Sequence, residues 1–248
     1  MKLYLSNNQF IDTNSPLDLS IPLTNDARNP RAWYVDVPRF EPVRTENYIG
    51  SVKEGGAVNF RDIYFNPHGH GTHTECLGHI TEEVHSINDV LKNYFFEATL
   101  VSILPKRVEQ ANGDIDFIIT PDQMRKINFQ GEALVIRTMP NDRIKTTKNY
   151  SESNPPYLDV ECVNVLLENG IEHLLIDLPS VDRESDGGAL VFHHAFWEVP
   201  QAPNFKRTIT ELIYVDNVIK DGKYILSFQV APFNNDAAPS RPVLYAIK

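Results

Sequence analysis

The chain has 248 residues, with 23 Lys or Arg against 33 Asp or Glu, so its formal net charge is −10. Nucleic acids and anionic membranes both bind to a basic face, and this composition favours neither partner. The two cysteines, Cys76 and Cys162, are too few for a disulfide framework and fit a reducing compartment. No apolar run approaches the ~20 residues that span a bilayer, and no signal peptide is evident. We therefore expect a cytoplasmic protein.

The first part of the chain predicts short strands separated by turns. Residues 1–60 are rich in Pro, Asn and Asp, which favour turns. The strand-like segments are residues 17–23 (LDLSIPL), 32–37 (AWYVDV) and 57–65 (AVNFRDIYF). The last of these leads directly into a histidine-rich stretch.

The remainder predicts buried strands and two helices. The first helix should begin at Thr120 and Pro121, and the second should run from Leu158 to a stop at Asn169 and Gly170. Short apolar runs typical of strands are residues 98–105 (ATLVSILP), 133–138 (ALVIRT), 173–179 (HLLIDLP), 223–233 (KYILSFQVAPF) and 241–247 (RPVLYAI). Since nothing marks a domain boundary, residues 1–248 are interpreted as one mixed α/β domain with more strand than helix.

Residues 68–79 (HGHGTHTECLGH) hold four of the eight histidines of the chain. Divalent metals such as zinc bind neutral imidazole and carboxylate, and His68, His73 and Glu75 offer three such groups within eight residues. The intervening glycines allow sharp turns. His73 and Glu75 are two residues apart, so they lie on the same side of an extended segment. A metal site is the favoured interpretation, and a polar histidine-rich loop is the alternative.

A second concentration of candidate ligands lies further along the chain. His193 and His194 stand in VFHHAFW, and Glu211 follows in TITELIYVD. Together with residues 68–79 they could complete a site for two ions. His85 and His173 stand apart and are interpreted as structural. Cys162 falls on the apolar side of the second predicted helix and is interpreted as a packed thiol.

These segments, in this order, resemble the cyclase family of metal-dependent hydrolases, which includes bacterial kynurenine formamidase and isatin hydrolase. The family signature is His-x-Gly-Thr-His-x-Asp-x-Pro-x-His, and PHGHGTHTECLGH corresponds to it. The segments LDLSIPL, ALVIRT and HLLIDLPSVD resemble other family motifs. The C-terminal part, from TITELIYVD to SRPVLYAI, resembles the ending of the family.

This resemblance implies a fold and an assembly. The fold is a swivelling β/β/α domain, with mixed sheets, a β-barrel-like core and flanking helices. The assembly is a homodimer or a homotetramer. The cofactor is one or two divalent ions, zinc first and manganese as the alternative.

The resemblance also implies a role for each site residue. His68, His73 and Glu75 would bind one ion, and Glu75 would bridge to a second ion held by His193 and Glu211. His79 would act as general acid/base. The register leaves two choices open, since His70 could replace His68 and His194 could replace His193. Glu75 stands where the family has aspartate, and its side chain is one methylene longer.

The implied activity is hydrolysis of an amide, formamide, lactam or ester bond in a small molecule. Arylformamides are the best-known substrates of the family, which would place the protein in tryptophan catabolism. An imidazole can take a proton and return it near neutral pH, which suits His79 to that work. The alternative function is a degenerate family member that binds a metal or a small molecule without turnover.

Overall fold

The computed structural model describes residues 1–248, apart from the side chain of Asn7. The strands are β1 (Lys2–Tyr4), β2 (Phe10–Asp12), β3 (Leu17–Asp18), β4 (Arg39–Pro42), β5 (Arg44–Thr45), β6 (Tyr48–Ile49), β7 (Arg61–Tyr64), β8 (His73–Glu75), β9 (Phe95–Ile103), β10 (Lys106–Glu109), β11 (Ile115–Ile119), β12 (Ala133–Thr138), β13 (Tyr157–Leu158), β14 (His173–Ile176), β15 (Thr208–Glu211), β16 (Gly222–Ser227), β17 (Ala237–Pro239) and β18 (Val243–Ala246). The helices are α1 (Ile87–Val90), α2 (Pro121–Met124), α3 (Cys162–Glu168) and α4 (Val191–Trp197). Short 3₁₀ turns occupy Ser6–Asn8, Val52–Glu54, Leu77–His79 and Arg143–Thr146.

One large mixed sheet organises the molecule. Its nine strands lie in the order β17-β8-β15-β14-β12-β9-β16-β18-β3. The central strands β9, β12, β14 and β15 are parallel, and the strands on either side of them pair antiparallel. The sheet curls into a half-barrel, and the few helices lie beside it. The predicted mixed α/β fold with a barrel-like core is confirmed.

The centre of the sheet is where sequence patterns predict structure best. All six residues of β12 and all four of β14 are buried. A strand covered on both faces is apolar along its whole length, which is the pattern of ALVIRT and HLLI. Residues 133–138 form a strand as predicted, and β9, β16 and β18 fall within or overlap the predicted strands. Cys162 is buried in the main apolar core, as expected.

The segment 32–37, predicted as a strand, is instead an irregular turn. Trp33 and Tyr34 both have φ of 59°, in the left-handed region that ends an extended run. The Ala32 amide donates to the carbonyl of Gly69, and the Tyr34 amide donates to the Ser151 hydroxyl. These tertiary contacts hold the segment against the histidine-rich stretch, and the β-branched and aromatic composition did not reveal them.

Three further elements are shorter than predicted. Only Leu17–Asp18 of residues 17–23 is strand, and only Arg61–Tyr64 of residues 57–65. The second predicted helix begins at Cys162, because Leu158 pairs with Ile119 in a short parallel ladder. Asn169 and Gly170 end that helix, as predicted, with Gly170 at φ of 70°.

Among the described residues, no helix combines the length and apolar character needed to cross a membrane.

Candidate metal centre

The site lies at one edge of the nine-stranded sheet, on strand β8 and its two neighbours. Strand β8 pairs antiparallel with β15 on one side and with β17 on the other. His73 lies opposite Glu211, and Glu75 lies opposite Ala237, the residue after Asp236. Three chain segments that are far apart in sequence therefore supply neighbouring side chains.

Strand alternation decides which side chains face the site. His73 and Glu75 point to one face, and the intervening Thr74 points to the other. There the Thr74 hydroxyl lies 2.8 Å from the Thr210 hydroxyl. Glu211 shares the face of its partner His73, and His73 Nε2 lies 3.5 Å from Glu211 Oε2. The His73 Nδ1 atom lies 2.9 Å from the carbonyl of Gly71, which sets the direction of the ring.

His193 reaches the site from helix α4, and Asp182 fixes its orientation. The Asp182 carboxylate accepts hydrogen bonds from the backbone amides of Phe192 and His193, in the first turn of the helix. Its Oδ2 atom also lies 2.6 Å from His193 Nδ1. The ring is thereby turned so that Nε2 lies 3.0 Å from Glu75 Oε1. Metal-binding imidazoles are commonly held by a carboxylate in this way.

Glu75 is the centre of the arrangement. Its Oε1 atom faces His193, and its Oε2 atom lies 2.9 Å from His68 Nδ1 and 3.9 Å from His79 Nε2. Glu211 completes the far side, held by a hydrogen bond from the Val181 amide to its Oε1 atom. The Glu75 carboxylate thus lies between His193 on one side and His68 and His79 on the other.

His68 and His79 form the outer part of the site together with Asp236. Their rings stack with centroids 4.2 Å apart. Asp236 Oδ2 lies 2.8 Å from His68 Nε2 and 3.4 Å from His79 Nδ1. Sequence reasoning missed Asp236, because a lone Asp in the polar loop FNNDAAP carries no distinguishing pattern. Only the pairing of β17 with β8 brings it to the site.

The two register choices left open by the sequence have structural answers. His70 lies away from Glu75, with Nε2 2.5 Å from the carbonyl of Asp36 and Nδ1 accepting from the Asn66 amide. His194 lies one step round helix α4, with Nδ1 near the carbonyl of Val199. The structure therefore brings His68 and His193 to the site rather than His70 and His194.

Gly69 stands two residues before Gly71, where the family signature has its first histidine, and the structure leaves no room there for a side chain. A Cβ atom at residue 69 would lie 2.8 Å from a methyl carbon of Val35, closer than real contacts allow. The irregular 32–37 segment thus packs against the backbone at this point. His68, one residue earlier, is free to project toward Glu75.

Several titratable side chains of the site lie close together and are shielded from solvent. Although burial opposes a charged imidazole, the carboxylates of Asp236 and Glu75 raise the pKa of His68 to about 10. In the same way, Asp182 and Glu75 outweigh burial and raise the pKa of His193 to about 10. Burial favours the protonated form of Glu75, but His79 and His193 hold its pKa well below the usual range. Burial and the charge of Glu75 raise the pKa of Glu211.

Protons thus supply the positive charge that this set of carboxylates requires, and a divalent cation could supply it in their place. Metal binding displaces protons from imidazole.

The donor set fits a divalent metal ion on a direct structural observation. Among the described residues, the buried atoms His73 Nε2 and Glu75 Oε2 make no hydrogen bond of acceptable geometry. Each has only an ion-pair contact, His73 Nε2 with Glu211 at 3.5 Å and Glu75 Oε2 with His68 at 2.9 Å. Buried polar atoms are normally partnered, and exceptions call for an explanation such as an ion. Both atoms point into the space shared by His68, His73 and Glu75, whose ligand atoms lie within 4.8 Å of one another. Imidazole and carboxylate are the ligands that zinc accepts.

Two further residues with side chains that can bind metals, Cys76 and His173, are not part of this centre. The Cys76 thiol donates to the carbonyl of His85, and burial raises its pKa to about 12, so it is not a thiolate ligand. His173 is buried beside Phe96 and Phe228, with Nδ1 2.9 Å from the Thr208 hydroxyl.

Comparison with known proteins begins with a family model. The model described as putative cyclase matches residues 17–183. The kynurenine formamidase of Bacillus anthracis is 26% identical over 239 residues, covering 95% of this chain and 99% of the relative. The kynurenine formamidase of Bacillus thuringiensis (strain Al Hakam) is 27% identical over 238 residues, with the same coverage.

Solved structures share the fold at lower identity. A structure described as a potential metal-dependent hydrolase with cyclase activity superposes with a TM-score of 0.66 at 16% identity, covering 93% of this chain and 97% of that one. Isatin hydrolase A from Labrenzia aggregata, bound to benzyl benzoate, has a TM-score of 0.66 at 14% identity and covers 94% and 93%. At these identities the likeness is one of fold.

Proposed function

This chain belongs to the putative cyclase family, and on that premise we propose that it is a metal-dependent hydrolase of carbon–nitrogen bonds in small molecules. The kynurenine formamidases at 26–27% identity support an open-chain formamide as the first substrate class to consider, and the isatin hydrolase fold supports a lactam. The ion that we propose is zinc, with manganese as the alternative.

One observation carries the proposal. The proposed ligands converge at the edge of the sheet, and two of their buried atoms make no hydrogen bond of acceptable geometry. The five residues are His68, His73, His193, Glu75 and Glu211. A protein core does not gain stability from such an arrangement, because each unpaired polar atom costs about 1–3 kcal/mol. A binding role for the cluster accounts for that cost.

We assign the ion to these five residues, with Glu75 shared between two positions if two ions bind. A bound divalent ion supplies a Lewis acid that polarises a carbonyl group and makes water a better nucleophile at neutral pH. Asp182 keeps the Nε2 atom of His193 directed at the centre. The Val181 amide orients Glu211 in the same way, by donating a hydrogen bond to its Oε1 atom.

His79 is the proposed proton carrier. Its side chain is 29% exposed, more than the ligands beside it, so substrate and water can reach it. Its Nε2 atom faces Glu75 at 3.9 Å, on the inner side of the site. There it takes a proton from the attacking water as the carbon–oxygen bond forms. It then gives that proton to the nitrogen as the carbon–nitrogen bond breaks.

A substrate screen tests the proposed function. Protein stripped by a chelator and reloaded with zinc or with manganese is assayed on N-formylkynurenine, simple arylformamides, lactams and lactones. We expect hydrolysis of at least one carbon–nitrogen substrate that disappears with the metal and returns with it. Metal binding without hydrolysis of any of them would instead favour a binding protein without turnover.

His79→Ala tests the assigned mechanism. General acid–base catalysis contributes roughly 10²–10⁴-fold, so kcat should fall by that factor. Metal content, measured by elemental analysis, should stay at the wild-type level because His79 is not assigned as a ligand. His85→Ala is the matched control, since it removes an imidazole from outside the site. A His79→Ala enzyme of near wild-type kcat would overturn the role.

Assembly and location complete the proposal. We propose a homodimer or homotetramer, as the family resemblance implies, which sedimentation velocity would test. The thiols of Cys76 and Cys162 are both free, which supports a cytoplasmic location.

A further inference from the structure

Asp236 is a half-buried carboxylate that the proposed ligand set does not use. Its side chain is 18% exposed, and hydrogen bonds tie the backbone around it to two neighbouring elements. The Cys76 amide donates to the Asp236 carbonyl, which ties this residue to the end of β8. The Asn235 carbonyl accepts from the Ile87 amide, which ties the loop to helix α1. The backbone therefore holds the carboxylate at a defined place.

The two stacked imidazoles each present one nitrogen to Asp236 and the other to Glu75. For His68, Nε2 lies 2.8 Å from Asp236 and Nδ1 lies 2.9 Å from Glu75. For His79, Nδ1 lies 3.4 Å from Asp236 and Nε2 lies 3.9 Å from Glu75. Asp236 thus accepts a hydrogen bond from the outer nitrogen of His68 and lies beside the outer nitrogen of His79, and the inner nitrogens of both rings face Glu75.

We propose that Asp236 is a positioning residue that acts through two imidazoles at once, orienting His68 for metal binding and His79 for proton transfer. Both halves of this inference rest on the metal assignment in the proposed function, and the His79 half also rests on the proposed hydrolysis. One carboxylate would thereby couple metal affinity and turnover, two properties that separate residues usually govern.

Although His68, His79 and Asp236 also place ligand atoms within 4.8 Å of one another, two observations favour positioning over direct ligation by Asp236. The buried atoms that make no hydrogen bond, His73 Nε2 and Glu75 Oε2, are on side chains of the inner part of the site. Asp236 Oδ2 already accepts a hydrogen bond within normal distance from His68. Asp182 offers an internal parallel, because it holds the outer nitrogen of His193 at 2.6 Å while the inner nitrogen faces Glu75. Carboxylates behind metal-binding imidazoles fix ring direction and raise ligand basicity.

Two double-mutant cycles test the two halves separately. The first measures zinc affinity by competition with a chromogenic chelator, for wild type, Asp236→Asn, His68→Ala and the double variant. Losing a carboxylate behind a ligand typically costs 10–100-fold in metal affinity. We expect Asp236→Asn to weaken zinc binding by about that factor. In the His68→Ala background the same change should cost less than about twofold, because the ring it acts through is gone.

The second cycle measures kcat at saturating zinc with His79→Ala in place of His68→Ala. We expect kcat of Asp236→Asn to fall about 10–100-fold, and kcat of the double variant to match that of His79→Ala within about threefold. A merely structural Asp236 would instead give additive losses in both cycles. Asp18→Asn, which removes a carboxylate at the opposite edge of the sheet, is the control and should leave both quantities unchanged.

Every outcome of the two cycles either supports or overturns the proposed role of Asp236. Additive losses, or losses below about twofold for Asp236→Asn, would overturn the proposal. Loss of a whole zinc equivalent from Asp236→Asn at saturating zinc would also overturn it, because Asp236 would then be a ligand. If wild-type protein hydrolyses no substrate, the proposed function fails while the zinc cycle, which needs no substrate, still decides for or against Asp236.

Discussion

Two histidines of this protein are almost equally buried, but their pKa values are shifted in opposite directions. His193 is 2% exposed and His173 is 4% exposed. The pKa of His193 is raised to about 10, because Asp182 and Glu75 outweigh the burial that opposes charge. The pKa of His173 is lowered to about 4, because burial acts there without an opposing carboxylate. Burial alone therefore does not determine whether a histidine carries a proton.

The neighbours of each ring come from different kinds of packing. His193 lies on helix α4 and faces side chains from β8 and β15, where polar groups converge. His173 begins β14, and its ring lies 4.1 Å from that of Phe96 and 5.4 Å from that of Phe228. The difference separates a histidine that we propose binds metal from one that packs in the core, and variants of both can be tested for zinc content and for stability.

The largest expected effect comes from replacing each of the two histidines by alanine and comparing what each variant loses. His193→Ala should lower the zinc content and reduce hydrolysis by about 10³-fold or more, roughly 4 kcal/mol of transition-state stabilisation. His173→Ala should keep its zinc and its turnover, and should lower the free energy of unfolding instead. Elemental analysis and steady-state kinetics on both variants check this. Equal zinc content in His193→Ala and wild type would break the comparison.

A pH series sharpens the comparison from the side of His173. A histidine whose pKa is depressed on folding contributes stability that is present above its unfolded value of 6.5. That contribution is lost as the pH falls toward about 4. The shift corresponds to at most about 3 kcal/mol between those pH values.

The matched variant for that series is His173→Gln. Urea unfolding of metal-stripped protein at several pH values between 7.5 and 4 should show a shallower acid loss for the variant than for wild type. Because both proteins keep the same cluster at the sheet edge, the difference between their slopes reports His173. Identical slopes would show that this ring does not carry the predicted linkage.

The smallest expected effect concerns the carboxylate behind His193. Asp182→Asn should weaken zinc binding by about 10–100-fold, roughly 1.4–2.7 kcal/mol, because the ring loses its charged partner at Nδ1. Chelator competition measures it, and His194→Ala on the same helix is the control. If the zinc affinity of Asp182→Asn equals that of the control, the orientation of His193 depends on packing rather than on Asp182.

Local sequence patterns predicted the segments whose structure depends little on which particular residues pack against them. Strand β12 was predicted to the residue, because a strand buried on both faces is apolar whatever packs on it. The end of helix α3 was predicted for the same kind of reason, since a left-handed glycine stops a helix locally. The strand prediction for residues 32–37 was wrong because contacts of Ala32 and Tyr34 with distant segments determine the backbone conformation there, rather than the preferences of the residues themselves.

The sequence by itself determined the mixed α/β character and the histidine-rich stretch. It also determined that the His193–His194 pair and Glu211 are the candidates to complete the site. Only the tertiary structure decided between His68 and His70, between His193 and His194, and whether Asp236 belongs to the site. The two histidines of each pair have the same side chain and differ only in the direction that the backbone gives it. Asp236 is 157 positions beyond His79 in the chain, and antiparallel pairing of β17 with β8 is what brings the two side chains together.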